Sequence, residues 1–536
     1  MSKPKPEQTR QLWLVFMALS MVRLAALFLL PITQDEAYYR MWSFFPALGY
    51  LDHPPMVAWL IAPFHNFAND HLIRMGSFIA LCLAFPITAK TFRELGLKDS
   101  QLVYAQILAH ANLFVLPIGF LALPDGPFVL MWIIALHEAT VAIKRDPKRW
   151  VTAGLACGAG LWSKYLMLLI GPIFLLTLLK SKRLFRSPWP ILGGVACLLV
   201  IAPHLAWNAQ NDWVTFRFQM NHGFAGSHEV ADLQSNLPVP KVAPPISSEY
   251  MQASVFFPKK PEKPKRKKSE IEQIVTRALD FSTAQPGLLA FLLIPVALSL
   301  VRIRKRNGNV AGVFSSPEGK LHFFAIVFTL GIFFTINLFQ GVEANWSGFY
   351  LLSVAPWLAS LPLNSKKVIS ACFALNLALV LAVAGYGFGL ERGVITNTKS
   401  NRVAKEIHGF NHLATYVSQL GDPLFADTYQ TVSMLSLASP RTNIQQLPLI
   451  TRHSELTRNP SFAFYDKIDL EKRGSFLLLL NQAVPPRFSG FRLTSLEKIL
   501  DCKDGDLQLL SREQAIANYE TCEPFHEWLV ARYVVD

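Results

Sequence analysis

Long runs of apolar residues alternate with short charged connections over the first 390 residues of the chain. The first run, residues 12–31, follows a short basic segment, and no small-x-small cleavage site comes after it. It therefore predicts an uncleaved membrane span. About 20 apolar residues suffice for a helix to cross a bilayer. Further runs of this kind lie near residues 72–90, 101–121, 125–143, 151–180, 188–206, 285–303, 320–339, 345–362 and 368–388.

The run at 151–180 is long for one crossing and short for two. Its centre, residues 162–165, reads Trp-Ser-Lys-Tyr, so that a charge lies between aromatic residues. Aromatic side chains and cations of this kind are typical of the membrane interface. The run therefore predicts two short helices that meet at the interface.

With two crossings there, the basic connections fall on one side of the membrane. The short connections on the other side carry only Arg40 and Lys164, with Arg74 at the entry to the second span. A bias this strong predicts eleven spans, with the N-terminus inside and the C-terminal region outside. Twenty-one cations mark the inner side: Lys3, Lys5, Arg10, Lys90, Arg93, Lys98, Lys144, Arg145, Lys148, Arg149, Lys180, Lys182, Arg183, Arg186, Arg302, Arg304, Lys305, Arg306, Lys320, Lys366 and Lys367.

Composition supports the membrane interpretation. Of the 536 residues, 51% are hydrophobic and only 16% are charged, which excludes a disordered, collagen-like or small disulfide-framework protein. A net charge of +14 would suit a nucleic-acid partner. Because the inner-side cations account for much of that charge, we predict no nucleic-acid partner and a multi-pass protein of the membrane.

Two large segments are predicted outside. Residues 207–284 form a long loop, and its Pro- and Lys-rich middle, 238–269, is either a solvated excursion or a contact for anionic lipid headgroups or an anionic acceptor. Residues 390–536 are more polar and predict a small soluble α/β domain that follows a transmembrane domain of residues 1–389. The strand candidates are 423–426 and 476–480, and the helix candidates are 427–438 and 511–519.

The cysteines divide between the two predicted domains. Cys502 and Cys522 lie in the outside domain, where an oxidising compartment would allow a disulfide. No Cys or His spacing indicates zinc. The other four lie inside spans, where we expect small packing residues: Cys82, Cys157, Cys197 and Cys372.

The first outside loop, residues 32–71, contains the strongest candidates for chemistry. Thr33 followed three residues later by Glu36 fits a helix capping box. Asp35 then points about 100° away from Glu36 and is free to meet a substrate. Asp35 and Glu36 are the candidate catalytic carboxylates. The alternative is that both only cap the helix and face its dipole.

Further polar residues lie on the same side. Asp52 and His53 precede two prolines, which gives a stiff turn at the membrane surface. Asp125 is the only charge of its connection, where an N-cap is the simpler alternative. Lys164 is one of few outer cations, and Arg217 and Asn345 lie in later outside segments. The candidate donor-binding residues are Asp52, His53, Asp125, Lys164, Arg217 and Asn345.

This arrangement suits the transfer of a sugar from a lipid phosphate to a hydroxyl group. The phosphate is a good leaving group, so the site needs cations to hold it more than an acid to protonate it. The acceptor hydroxyl needs a carboxylate base within hydrogen-bond reach. One in-line displacement would invert the anomeric centre.

Several motifs occur in an order and spacing that resemble bacterial glycosyltransferases of the GT-C superfamily, in the dolichyl-phosphate-mannose protein mannosyltransferase-like group. Lipid A aminoarabinose transferases and lipopolysaccharide galacturonic-acid transferases are relatives of that group. The motifs lie at 35–39 (DEAYY), 49–55 (GYLDHPP), 124–127 (PDGP), 163–165 (SKY), 207–210 (WNAQ) with 213–214, 343–346 (EANW) and 426–430 (ADTYQ).

The resemblance implies a polyprenyl-phosphate sugar donor and an active site on the outer face of a bacterial inner membrane. Asp35 matches the family's first-loop catalytic aspartate. Asp52 and His53 fall where the aminoarabinose transferases place an acidic-basic pair near the donor phosphate. With His in place of Lys, phosphate binding there would depend on pH. Some relatives bind a divalent metal near this pair, and the two residues alone do not establish one.

The acceptor stays open at this point. A glycolipid of the lipid A or lipopolysaccharide type is favoured because the basic insert suits an anionic acceptor. The alternatives are the same chemistry on protein Ser or Thr, and a transporter or flippase for a lipid-linked sugar. The last alternative would use ionisable groups near the middle of the membrane, for which Arg23 in the first span is a candidate.

Overall fold

The computed structural model shows a helical fold of the membrane-protein type, followed by a β-sheet in the C-terminal part of the chain. The structure describes residues 6–180, 186–224, 242–243, 269–306, 312–362, 365–396, 402–421, 423–438, 445–446, 474–481, 485, 487–488, 490–503, 506–511, 514 and 522–536.

The α-helices come first along the chain. They are α1 (Pro6–Leu29), α2 (Gln34–Ser43), α3 (Met56–Ile61), α4 (Met75–Glu94), α5 (Asp99–His110), α6 (Asp125–Lys144), α7 (Arg149–Leu161), α8 (Ile170–Leu179), α9 (Trp189–Gln210), α10 (Val214–Phe224), α11 (Glu270–Gly287), α12 (Leu293–Arg306), α13 (Pro317–Phe339), α14 (Leu351–Ser360), α15 (Lys366–Glu391), α16 (Arg402–Ile407), α17 (Phe410–Ser418) and α18 (Tyr429–Ala438). Short 3-10 turns precede several of them, among them Asp70–Arg74, Tyr165–Leu169 and Ala344–Tyr350.

Six helical segments within the described ranges are long and apolar enough to cross a membrane: α1, residues 70–94, α6, α9, α13 and α15. A seventh candidate is α11 with residues 290–302, which bend by 88° at their break. The predicted run 151–180 is confirmed as two helices, because α7 ends at Leu161 and the next turn begins at Tyr165. The count of eleven spans stays a prediction.

The predicted span at 101–121 is not one continuous helix, because α5 ends at His110 and Asn112 then binds the backbone. After α5 ends, Asn112 Oδ1 accepts hydrogen bonds from the amides of Phe114 and Val115. Arg23 of α1 donates to the carbonyl oxygens of His110 and Val115 at 3.3 and 3.4 Å. Carbonyls at a helix end lack partners within the helix. Arg23 therefore has a structural role at this break.

Small residues allow α7 and α9 to approach closely. A Cβ atom on Gly154 would overlap the carbonyl oxygen of Gly193, and one on Gly193 would overlap that of Trp150. Glycine at such positions lets two membrane helices pack through their backbones. This contact orients α9, which leads into the polar outer segment.

The C-terminal domain is a mixed six-stranded sheet with helices, which confirms the predicted α/β class. Its strand order is β3 (Gln445–Gln446), β2 (Leu424–Ala426), β4 (Ser475–Leu480), β8 (Pro524–Val535), β6 (Phe491–Cys502) and β7 (Leu507–Leu510). The first three are parallel and the remaining pairs antiparallel. A separate two-stranded ladder joins β1 (Val242–Ala243) to β5 (Arg487–Phe488).

Most predictions for this region are confirmed. β2, β4 and α18 match three of the predicted elements, and Cys502 and Cys522 form a disulfide. Most of the helix predicted at 511–519 and nearly all of the basic insert 238–269 lie outside the described residues. One difference is α11, which begins at a Ser269–Glu272 capping box inside the predicted long loop.

One apolar cluster contains side chains of both the first loop and the C-terminal domain. From the loop come aromatic side chains of α2 and the segment after it, and from the domain come residues of α17, α18 and the sheet. The cluster includes Tyr38, Trp42, Tyr50, Val57, Phe410, Leu413, Val432, Leu435, Leu477, Ile499 and Trp528. The domain therefore packs directly on the loop that carries the candidate catalytic residues.

The glycine contact between α7 and α9 gives a test of the fold. We expect Gly154→Val to destabilise the protein by about 3 kcal/mol or more, because the added side chain forces two backbones apart. The readout is the monodisperse peak of detergent-solubilised protein after heating. Gly194→Val is the matched control, because its Cβ would meet open space. Equal heat tolerance of the two variants would contradict the close packing.

Candidate active site at the outer loops

The first turn of α2 is built as the sequence predicted. Thr33 is the N-cap: its Oγ1 accepts a hydrogen bond from the Glu36 amide at 3.4 Å, and its own amide donates to Glu36 Oε2 at 3.1 Å. The capping box is thus confirmed. Because both groups are used locally, the first turn holds a fixed conformation next to Asp35.

Glu36 and Arg74 form a buried bidentate ion pair. Arg74 Nε and Nη2 each lie 2.6 Å from a Glu36 oxygen, and the side chains have no exposed surface. Burial opposes ionisation of Glu36, but the Arg74 guanidinium and the Ala122 amide, at 2.8 Å, hold its pKa below the usual range. Arg74 also donates to three carbonyl oxygens at the end of α1: those of Leu27, Leu30 and Pro31.

Asp35 is exposed at the start of α2, and this is the face that a ligand can reach. The surrounding protein atoms nevertheless displace part of the water around the Asp35 carboxyl group, and this desolvation raises its pKa. The Arg402 guanidinium on α16 acts in the opposite direction, and Glu36 adds to the rise. Glu406, also on α16, has its own pKa raised by burial and then by Asp35. Asp35 therefore faces a helix that carries both a cation and a carboxyl group.

Asp52 is buried against α2. Tyr38 donates from its hydroxyl to Asp52 Oδ1 at 2.8 Å, and Gln219 of α10 donates to the Asp52 carbonyl. The half-buried His53 ring lies with its centre 6.1 Å from that of Tyr39. The turn after residue 50 is thus held against both α2 and α10.

Asp125 and Lys164 form an ion pair at 2.8 Å, with each side chain 17% exposed. The N-cap of α6 is Pro124, so Asp125 pairs with a cation instead of capping the helix. Ser163 donates to the Pro124 carbonyl at 2.6 Å. This bond brings the connection before α6 and the break after α7 together.

Tyr39 lies where these segments converge. Its pKa is raised well above the usual value by burial first, and then by the charges of Asp35, Asp52, Tyr429 and Asp125. The phenol therefore stays neutral. The three predicted carboxylates thus all lie close enough to one buried tyrosine to raise its pKa, and Lys164 pairs with one of them, Asp125.

Arg217 and Asn345 lie on segments that border this centre. Arg217 is half-buried on α10, two residues before Gln219, whose amide reaches the Asp52 carbonyl. Asn345 is exposed, and its neighbour Glu343 pairs with Arg402 at 3.4 Å. In the part of the chain that the structure describes, no cluster of three His, Cys, Asp or Glu side chains could hold a metal ion.

Sequence analysis did not single out Arg74, Tyr39 or Arg402 as site residues. Arg74 appeared only as an outer cation at the start of a span, because the carbonyl groups that it binds have no sequence signature. Tyr39 belongs to the DEAYY motif, but its place between three carboxylates depends on the fold. Arg402 follows the last predicted span, where nothing in the sequence links it to Asp35.

Comparison with known proteins identifies glycosyltransferases that are similar to this chain in sequence. Residues 52–207 match a family model described as dolichyl-phosphate-mannose-protein mannosyltransferase. The chain is 26% identical over 191 residues to the lipid A galacturonosyltransferase RgtD of Rhizobium johnstonii. That match covers 34% of this chain and 40% of the length of RgtD.

Solved structures show the fold over the whole chain. The apo structure of ArnT from Cupriavidus metallidurans superposes with a TM-score of 0.58 at 11% identity, covering 97% of both chains. The structure of the same protein bound to undecaprenyl phosphate gives a TM-score of 0.55 and covers 97% of this chain and 98% of that one.

Fold and sequence together indicate a polytopic membrane protein that is similar to glycosyltransferases of the GT-C type. The predicted resemblance is confirmed: part of the chain is similar in sequence to a lipid A galacturonosyltransferase, and the whole has the ArnT fold. The roles predicted for the individual site residues stay predictions.

The buried ion pair gives a stability test. We expect Arg74→Met to lower the free energy of unfolding by about 3–5 kcal/mol, because it leaves the Glu36 carboxylate buried without its partner. The double variant Arg74→Met/Glu36→Gln should lose less than the two single losses added together. Thermal unfolding in detergent measures both.

Glu343→Gln is the control for this test. It removes the exposed pair with Arg402, in which the side chains are 58% and 77% exposed, and such pairs contribute about 1 kcal/mol or less. Equal unfolding midpoints for Arg74→Met and Glu343→Gln would contradict the structural role of the buried pair.

Proposed function

We propose that the protein transfers a sugar from a polyprenyl-phosphate donor to an extracytoplasmic glycolipid of the lipid A type. The observation that carries the proposal is the set of contacts among the polar groups of the outer segments. Tyr38, three residues after Asp35, donates to Asp52, the Tyr39 ring lies beside His53, and Lys164 pairs with Asp125. The ArnT neighbour, solved with undecaprenyl phosphate, supports the donor class. The similarity to RgtD, a lipid A galacturonosyltransferase, supports lipid A as the acceptor class.

In this proposal, cations hold the donor phosphate. Lys164 moves part of its interaction from Asp125 to a phosphate oxygen, and Arg217 and His53 approach from α10 and the turn after residue 50. Asp52, held by the Tyr38 hydroxyl, orients the His53 segment. Asn345 lies near the Asp35 face and suits the sugar hydroxyls. Phosphate binding of this kind stabilises the leaving group as charge develops on it.

Asp35 is the base in this proposal. Its carboxylate accepts the proton of the acceptor hydroxyl while that oxygen attacks the anomeric carbon and the bond to the lipid phosphate breaks. One such displacement inverts the anomeric centre. Glu36 has its oxygens engaged by Arg74, Thr33 and Ala122, so it acts as a positioning residue beside Asp35.

The outer-face location follows from the charge pattern. With the N-terminus inside and the C-terminal domain outside the bacterial inner membrane, the site faces the compartment in which lipid A-type acceptors are modified. Transfer to protein Ser or Thr is the alternative acceptor reaction. A flippase role loses its main candidate, because the buried Arg23 binds carbonyl groups at a helix break.

The base assignment predicts the effect of a single substitution. Asp35→Asn should lower kcat by about 10²–10⁴-fold, the usual contribution of a positioned base, with protein levels unchanged. The measurement is sugar transfer to glycolipid in membranes, followed by mass spectrometry of the envelope lipids. Near-normal transfer by this variant would contradict the role of Asp35.

A second prediction concerns pH. The raised pKa of Asp35 places the acid limb of the kcat/KM profile above the ordinary range of aspartate, because the carboxylate must be ionised to act. Arg402 lowers that pKa, so Arg402→Gln should move the acid limb to higher pH. Arg392→Gln removes the same charge at the end of α15 and should leave the limb in place. An unmoved limb in Arg402→Gln would contradict the assignment.

A further inference from the structure

One backbone carbonyl, that of Lys405, joins the first loop to the C-terminal sheet. It accepts a hydrogen bond from Gln34 Nε2 at 2.8 Å and another from His526 Nε2 at 2.8 Å. Gln34 immediately precedes Asp35, and His526 lies on β8. Lys405 belongs to the last turn of α16, where carbonyl groups have no partner within the helix. A single acceptor therefore connects the helix of Asp35 to the sheet.

The other ring nitrogen of His526 is held by a buried carboxylate. His526 Nδ1 lies 2.9 Å from Asp501 Oδ2, and His408 Nδ1 lies 2.8 Å from Asp501 Oδ1. Burial opposes ionisation of Asp501, but the hydrogen bonds and charges of the two histidines hold its pKa below the usual range. Asp501 is therefore an ionised carboxylate that only accepts hydrogen bonds.

These contacts hold the His526 ring at both of its nitrogen atoms. Its Nδ1 faces a carboxylate and its Nε2 faces a carbonyl, and neither of these groups can donate a hydrogen bond. A hydrogen bond at either nitrogen is therefore donated by the ring.

The backbone is shaped to allow this contact. Gly409 has a φ of +79°, and a Cβ there would overlap the Asp501 carboxylate. Only glycine adopts this conformation at such a close approach without strain. The His526 ring is also packed on aromatic neighbours, with ring centres 5.1 Å from Trp528 and 5.4 Å from Phe410. The ring is thus fixed in orientation.

Other charged groups near His526 have partners of their own. On its own strand, Glu527 pairs with Lys498 of β6 at 2.9 Å. Lys503, beyond the end of β6, pairs with Glu523. From α16 the group that contacts the ring is the Lys405 carbonyl, and His408 of the α16–α17 connection contacts the other oxygen of Asp501. The charged partner of His526 is Asp501.

We propose that Asp501 and His526 are positioning residues for the transfer reaction. The His526 ring holds the Lys405 carbonyl against Gln34, and through that contact it sets the positions of Asp35 on α2 and of Arg402 on α16. This inference rests on the proposed function.

The test combines the kinetics of sugar transfer with hydrogen exchange of the full-length protein in detergent. His526→Gln should lower kcat by about 10–100-fold, with little change in the donor KM, since small misplacements of a catalytic group cost this much. Amide exchange of residues 32–39 should rise in this variant. His412→Gln, at an exposed histidine of α17, is the matched control and should change neither quantity.

A second variant removes the other hydrogen bond to the Lys405 carbonyl, that from Gln34, and leaves the sheet unchanged. Gln34→Leu should raise exchange in the same residues, and combined with His526→Gln it should add little, because both act through one acceptor. If His526→Gln does not fold, the exchange measured in Gln34→Leu alone tests the inference. An unchanged kcat and unchanged exchange in the folded variants would overturn the inference. Full transfer by Asp35→Asn would overturn the proposed function instead, and the exchange data would still report on the linkage.

Discussion

The buried ion pair between Glu36 and Arg74 is the interaction on which the outer site depends. It connects the first turn of α2, the carbonyl groups at the end of α1, and the amide of Ala122 in a place without solvent. A charge buried in this way is stable only while its partners are complete. The pair therefore gives the first loop one conformation, and Asp35 inherits its position from it.

The other outer segments are fixed by contacts that cross from one motif to the next. The amide of Met56 donates to the Trp162 carbonyl at 3.0 Å, and Thr215 donates to the Tyr50 carbonyl at 2.6 Å. Gly49 leaves room for the indole of Trp207. The candidate site residues are thus next to residues whose contacts hold two segments of the chain together. Each motif therefore contains residues for the site and residues for packing.

The sequence predicted those features whose cause is local. The Thr33–Glu36 capping box spans three residues, and the break near Lys164 follows from a charge inside an apolar run. Strands β2 and β4 are short apolar runs in a polar region. What the sequence could not predict depends on distant backbone groups, such as the carbonyl groups that bind Arg74 and the Lys405 carbonyl. The predicted span at 101–121 contains no Asp, Glu, Lys or Arg, and the fold shows that it is interrupted at Asn112.

The apolar cluster shared by the first loop and the C-terminal domain has a consequence for how the protein is made. Tyr38 and Trp42 emerge early in synthesis, whereas Phe410, Leu477 and Trp528, which cover them, emerge last. Until the last strand has joined the sheet, the aromatic face of α2 lacks part of its cover, and the Lys405 carbonyl that binds Gln34 lacks its second donor, His526. The candidate site is therefore completed only late in biogenesis, so a chain whose synthesis stops early carries Asp35 on a first loop that the C-terminal domain has not yet covered.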